Sequence, residues 1–210
     1  MMEEMTVTRA LVELKLLDKR ILKETVNAIF LSAVRGKETT TVHRTSKEDM
    51  EKHCRKNLQS IRAMIERRNI IKTAVVASNA STSVKIAGES YTVAGAIERK
   101  GSIQYDEILL MQMRTQFAHL KDQVELANSS VEVSLKTMLE KIAGKEGVQN
   151  IDVENISKSY RDTNAMSLFD PAGIEKLIEK LDKEIDEFKA DVDQSLSECN
   201  AVTKITINVG

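Results

Sequence analysis

Ile174, Ile178, Leu181, Ile185, Phe188, Val192 and Leu196 recur at spacings of four and three. Only an α-helix puts such a series on one side, and the near-heptad period asks for a partner along the stripe. Asp170-Pro171 stands just before it. Asp is a good N-cap and Pro fits the first helical position, so the spacing predicts a helix over 171–199. This is the only proline in 210 residues. With 3% aromatic residues and no Trp, the chain lacks the rings and loop punctuation of a typical α/β enzyme. Leu, Ile, Met, Ala, Lys and Glu without breakers point to long helices.

The remaining elements follow from the same periodicity. Leu11, Leu14, Ile21, Ala28 and Ile29 predict a helix over 8–33, closed near Arg35-Gly36. The threonine-rich stretch 37–45 reads as a strand or extended arm. Ser46 with Asp49 resembles a capping box and opens a helix over 46–78. Residues 84–93 read as a hairpin turning through Ala-Gly-Glu-Ser. Thr92 then caps a helix over 92–143, with a kink expected near Gly95 and Gly101. Residues 144–170 form a looser insertion with one short helix, and 202–209 is a terminal strand. The expected fold is mainly α, one helical domain over 1–210. Long antiparallel helical hairpins or a bundle carry a β-hairpin and a short terminal strand in a small sheet at one end.

One phrase occurs twice. ASNASTSVKI (77–86) and ECNAVTKITI (198–207) share Asn-Ala-x-Thr and then a β-branched run. Asn tolerates the left-handed conformation, so Asn79 and Asn200 read as stops of two long helices. If those helices lie side by side, the strands after them can join one sheet, with residues 37–44 beside them. The alternative is two independent stop signals.

Charge divides between two helices. Residues 46–72 hold eight basic and four acidic side chains, and residues 174–199 hold four lysines and nine acids. Such helices can flank each other within a chain or between copies. The sharper reading places an anion at the end of the basic helix. Arg62, Arg67, Arg68 and Asn69 lie close to the polar stop, with Asn79, Thr82, Arg99 and Lys100 behind them. Guanidinium groups grip phosphates through paired hydrogen bonds, and Asn or Thr can complete a pocket for ribose or base. Arg67 and Arg68 are neighbours and cannot face one groove together.

No phosphate cradle of the G-x-x-x-x-G-K-[ST] or G-x-G-x-x-G type is present, nor a G-x-S-x-G elbow. His43, His53 and His119 lack metal spacing. No catalytic residue, metal or cofactor is expected. Net charge is −1 and aromatic platforms are missing, which gives no reason to expect nucleic acid. No apolar run reaches ~18 residues, so no membrane span is expected. The N-terminus lacks a signal-peptide pattern, and a cytoplasmic location follows by default. Cys54 and Cys199 lie at apolar helical positions and read as buried thiols.

RALVELKLLDKRI, VASNASTSVKIAGESYTVAGAIERK and FKADVDQSLSECNAVTKITI appear in the order of an N-terminal heptad helix, a helix closing before a Gly-containing hairpin, a second helix opening Ala-x-x-Arg-Lys, and a C-terminal helix ending in a strand. In this the chain resembles the septicolysin-like helical proteins and, more closely, uncharacterised proteins of phages and prophages of Gram-positive bacteria. The resemblance covers most of the chain, least so 144–170, and carries no catalytic residues. It implies a phage-encoded, mostly helical homo-oligomer. Two roles suit such a protein: sequestering a small anionic nucleotide-like signal in the host cytoplasm to counter antiviral defence, or building the virion through coiled-coil contacts.

Overall fold

The computed structural model describes residues 1–143 and 153–208. It is mainly α. In chain order the elements are β1 (Met2–Thr6), α1 (Val7–Asn27), α2 (Lys47–Ser81), β2 (Ser83–Ile86), β3 (Glu89–Thr92), α3 (Val93–Ala143), α4 (Val153–Asn164), α5 (Ile174–Val202) and β4 (Lys204–Asn208). Contacts divide the chain into two compact units, Met1–Gly101 with the segment from Phe188 onward, and Ser102–Glu187.

The strands make two antiparallel pairs, not one sheet. β2 and β3 form the expected hairpin, but its turn is only Ala87-Gly88, because Ile86 pairs with Glu89. Both turn residues have positive φ, 50° and 83°, the arrangement that matches the right-handed twist of a hairpin. β4 pairs with β1, from Thr6↔Lys204 to Met2↔Asn208. The N-terminal strand was absent from the sequence reading. Residues 37–45 join neither sheet. They turn, with Gly36 and Arg44 at positive φ and one bridge between Thr40 and Ser46.

The two Asn-Ala-x-Thr phrases are built alike, but the asparagines are not the stops. α2 continues through Asn79 to Ser81, and α5 through Asn200 to Val202. Each helix stops at the threonine. The Thr82 N–H donates to Ser78 O at 2.8 Å and the Thr203 N–H to Cys199 O at 2.9 Å. Each threonine carbonyl then accepts from the first residue of another helix, Val93 N–H to Thr82 O and Val7 N–H to Thr203 O, both 2.9 Å. Those helices start alike too. TVAGAI (92–97) answers TVTRAL (6–11). Thr92 Oγ1 accepts from Gly95 N and Thr6 Oγ1 from Arg9 N, so each threonine is an N-cap. Ala96 and Ala10 are both fully buried.

Beneath β1 and β4 lies a core of Met5, Val7, Ala10, Leu14, Leu17, Ile71, Val75, Ile205 and Ile207. Period-two alternation turns Ile205 and Ile207 inward from the strand. α2 brings Ile71 and Val75 from one of its stripes.

Several boundaries move. α1 ends at Asn27, not 33, because Ala28 is extended (ψ 141°) and Asn57 Nδ2 holds the Ile29 carbonyl at 3.2 Å. α3 runs through Gly95 and Gly101 without a break. Pro171 is not the first helical residue of α5. Asp170 reaches across a turn containing Gly173 (φ 67°) and accepts from Ile174 N at 2.8 Å. The short helix of the insertion is α4. Residues 144–152 and 209–210 lie outside the described residues. Cys54 and Cys199 are free and half-buried, not buried. Among the described residues no helix is long and apolar enough to cross a membrane.

Ile71 is fully buried and Val76 is 55% exposed on the same helix. Urea titration should therefore show Ile71→Ala losing about 2–5 kcal/mol and Val76→Ala less than about 0.5 kcal/mol. At the turn, Ala87→Asn installs the favoured Asn-Gly pair and should gain roughly 0.5–1 kcal/mol, given the cost of a left-handed alanine.

Candidate functional site

Of the cations singled out in the sequence, Arg67, Arg68 and Lys100 are held in ion pairs. Arg67 leaves α2 toward α1 and β1. Its Nε donates to Glu13 Oε1, and Nη1 and Nη2 grip both Glu3 carboxylate oxygens at 3.0 and 3.2 Å. The pairing holds the Glu3 carboxyl below its ordinary range, chiefly through the Arg67 hydrogen bonds, and raises the Arg67 guanidinium, chiefly through Glu13. Arg68 points elsewhere and meets Asp18 at 2.9 Å, with Asn69 Oδ1 at 3.5 Å. Arg99 lies 5.8 Å from the Phe188 ring centroid, a cation–π distance. Lys100 pairs with Asp193. Thr82 is the helix cap. Arg62 is exposed and Asn79 half-buried on α2. None of these candidate residues lines the cavities described below.

The two equivalent ends use different chemistry at one position. Arg67 in α2 answers Phe188 in α5, since each lies four residues before a buried aliphatic, Ile71 and Val192. Facing Arg67 are Glu13 and Glu3. Facing Phe188 are Arg99 and Tyr91, whose ring stands edge-on at 5.7 Å. Asp191 then secures the hairpin. It accepts the Ala87 N–H at 2.8 Å and the Ser195 hydroxyl at 2.8 Å, which keeps its carboxyl below the ordinary range, the Ala87 bond first.

A groove that the sequence reading missed runs between α1 and α5. Its volume is about 440 Å³. Leu11, Val12 and Leu196 make an apolar floor, while Thr8, Ser197 and Asn200 supply two hydroxyls and an amide. Lys15 stands on its α1 side and Asp193 on its α5 side. Asp193 is already answered by Lys100, so Lys15 is the charge left over. Apolar walls with a few convergent polar groups are the usual make-up of a small-molecule site. Two further cavities lie in the other unit. One of about 250 Å³ is lined by Phe117, Leu120, Leu168 and Phe169 and has Asp170 but no cation, which suits an anion poorly. One of about 510 Å³ is lined by residues of α3 alone, Val133, Thr137, Met138 and Ile142 with Lys141. The signal for the first groove was present in the sequence as the second Asn-Ala-x-Thr phrase, since Asn200 lines it.

Among the described residues no three His, Cys, Asp or Glu side chains cluster as a metal site. No protein-family model, curated protein or solved structure matches the chain.

The Arg67 pairing predicts an acid-sensitive fold. Glu3 has a folded-state value lowered from 4.5. Its stabilisation is therefore present above that pH and is lost as pH falls through the lower folded value. Equilibrium unfolding between pH 6 and pH 2 should show Glu3→Gln flattening this acid slope. At neutral pH the variant should be less stable than the parent.

Proposed function

We propose that this chain is a non-enzymatic, oligomeric binding protein that takes an anionic, nucleotide-like molecule into the α1/α5 groove. In a host cell it would act as a phage-encoded sponge, sequestering a signalling nucleotide and so countering antiviral defence. The observation that supports this reading is the composition of the groove. An apolar floor for a base, the Asn200 amide and two hydroxyls for base edge or ribose, and the Lys15 ammonium for phosphate lie within one volume. Sequestration needs affinity and abundance, not chemistry, so the absence of catalytic motifs from the sequence costs this reading nothing.

The arginines of α2 take a positioning role in this account. Arg67 and Arg68 fasten α2 to β1 and α1, the helix that forms one groove wall. They hold the groove rather than line it.

A second reading is assembly through protein contacts, favoured by the part of α1 beyond the groove. Leu22 and Val26 are 69% and 82% exposed, and Leu16 more than half exposed. Lys19 and Lys23 run between them. Such a face suits an acidic helix of a particle protein. Detection at fixed copy number in purified particles would favour this second reading.

Thermal shift against cyclic mononucleotides, cyclic oligonucleotides and ADP-ribose-type nucleotides tests the sponge. A ligand at 100 times its dissociation constant should stabilise the fold by about 2.7 kcal/mol. Lys15→Ala and Asn200→Ala should weaken that shift at least tenfold in concentration while leaving the ligand-free midpoint within a degree or two. Arg68→Ala should keep the shift. A flat response across the panel overturns the reading.

A further inference from the structure

In the unit Ser102–Glu187, α3 has two faces. Leu110, Met113 and Leu135 are buried on one. On the other, an exposed stripe runs from Ile108 to Val133 by alternate steps of four and three, the spacing of a heptad seam. Solvated helix faces ordinarily carry charge, yet Asp122 is the one formal charge on this stripe. Arg114 and Glu132 lie off the seam and are paired with Asp182 and Arg161. Ile108, Leu126 and Val133 are 57%, 72% and 67% exposed.

The hydroxyls of this face are already satisfied. Thr115 donates to Met111 O at 2.9 Å, Ser129 to Glu125 O at 2.9 Å and Ser130 to Leu126 O at 3.2 Å. Covering these hydroxyls strands none of them, whereas the Gln112 amide and the Asp122 carboxylate must find their partners across the seam.

From end to end, the stripe is complementary to itself. In an antiparallel pair Ile108 meets Val133, apolar on apolar, and Gln112 meets Ser129, polar on polar. Thr115 meets Leu126, small against large, and His119, whose Nε2 lies 3.0 Å from Gln123 Nε2 of its own helix, meets Asp122, a base against an acid. Each match occurs twice about a two-fold axis, as an isologous interface requires. We propose that a second copy of this chain docks here, α3 against α3 in opposite directions, with the axis passing between residues 120 and 121. The seam extends about 38 Å at ~1.5 Å per residue. It supplies the contact for the oligomer of the proposed function. Lys15→Ala lies outside it, so the two readings fail separately.

Sedimentation equilibrium of the full chain, free of ligand, tests the seam. The chain should sediment as a dimer or a multiple of one. Leu126→Glu should raise the dissociation constant at least tenfold with helicity by circular dichroism unchanged, since Leu126 is exposed. Asp122→Arg sets a guanidinium against His119 and should weaken the dimer. His119→Glu with Asp122→Arg in the same chain should restore it, because acid and base then simply exchange places across the axis. A parent chain that stays monomeric at every concentration overturns the proposal. So does an oligomer indifferent to Leu126→Glu, or a double variant no tighter than Asp122→Arg alone.

Discussion

A two-stranded sheet is not stable in water by itself, and this chain has two of them. Each is supported by a helix that leads into the other. α2 runs into β2, yet its Ile71 and Val75 complete the core under β1 and β4. α5 runs into β4, yet its Asp191 holds the Ala87 N–H in the β2–β3 turn and its Phe188 meets Tyr91 of β3. Neither strand pair can keep its support if the other helix moves. This interlock ties the chain's first strand to its last and sets α1 beside α5, so the groove depends on it.

α5 was legible because its apolar stripe survives as a buried face at Ile185, Phe188 and Val192, whereas Leu11 of the α1 stripe is 42% exposed. The ends were less legible, for reasons that differ by position. At Asn79 and Asn200 the residue's tolerance of left-handed backbone suggested a stop, but no left-handed residue was needed. Thr82 leaves the helix directly into extended backbone, with ψ 129°, a conformation its β-branched side chain favours. α1 stops at Asn27 with no local breaker, because a bond from Asn57, far along the chain, takes the Ile29 carbonyl. β1 was invisible for the same reason. MEEMT has little strand signal, and its partner lies at the other end of the chain. The missed clue was internal: TVTRAL and TVAGAI, seen together, mark two equivalent helix starts.

The candidate site shows how far charge can be read without partners. Arg67, Arg68 and Lys100 read as candidate anion contacts, but their carboxylates come from Glu3, Glu13, Asp18 and Asp193, all distant in sequence. A guanidinium that grips two oxygens of Glu3 and one of Glu13 has spent its fork geometry. The neighbouring pair did diverge, as adjacent helix positions must. Lys15 drew no attention because a lysine on an amphipathic helix ordinarily reads as solvated, and only the approach of α5 places it over an apolar floor.

The groove and the α3 seam share no residue. Thr8, Lys15 and Asn200 belong to one compact unit, and Ile108 to Val133 to the other. Substitutions without shared partners ordinarily act additively, so the proposed uptake of a ligand and the proposed pairing of copies can be tested independently. That separation matters physically for the proposed sponge. A seam closed by side chains that do not line the groove leaves every copy's groove lining uncommitted, and ligand capacity then grows in step with the number of chains. Had the cations of α2 formed the site, each ligand would have had to displace the Glu3, Glu13 and Asp18 carboxylates that fasten α2, and binding would have worked against the fold.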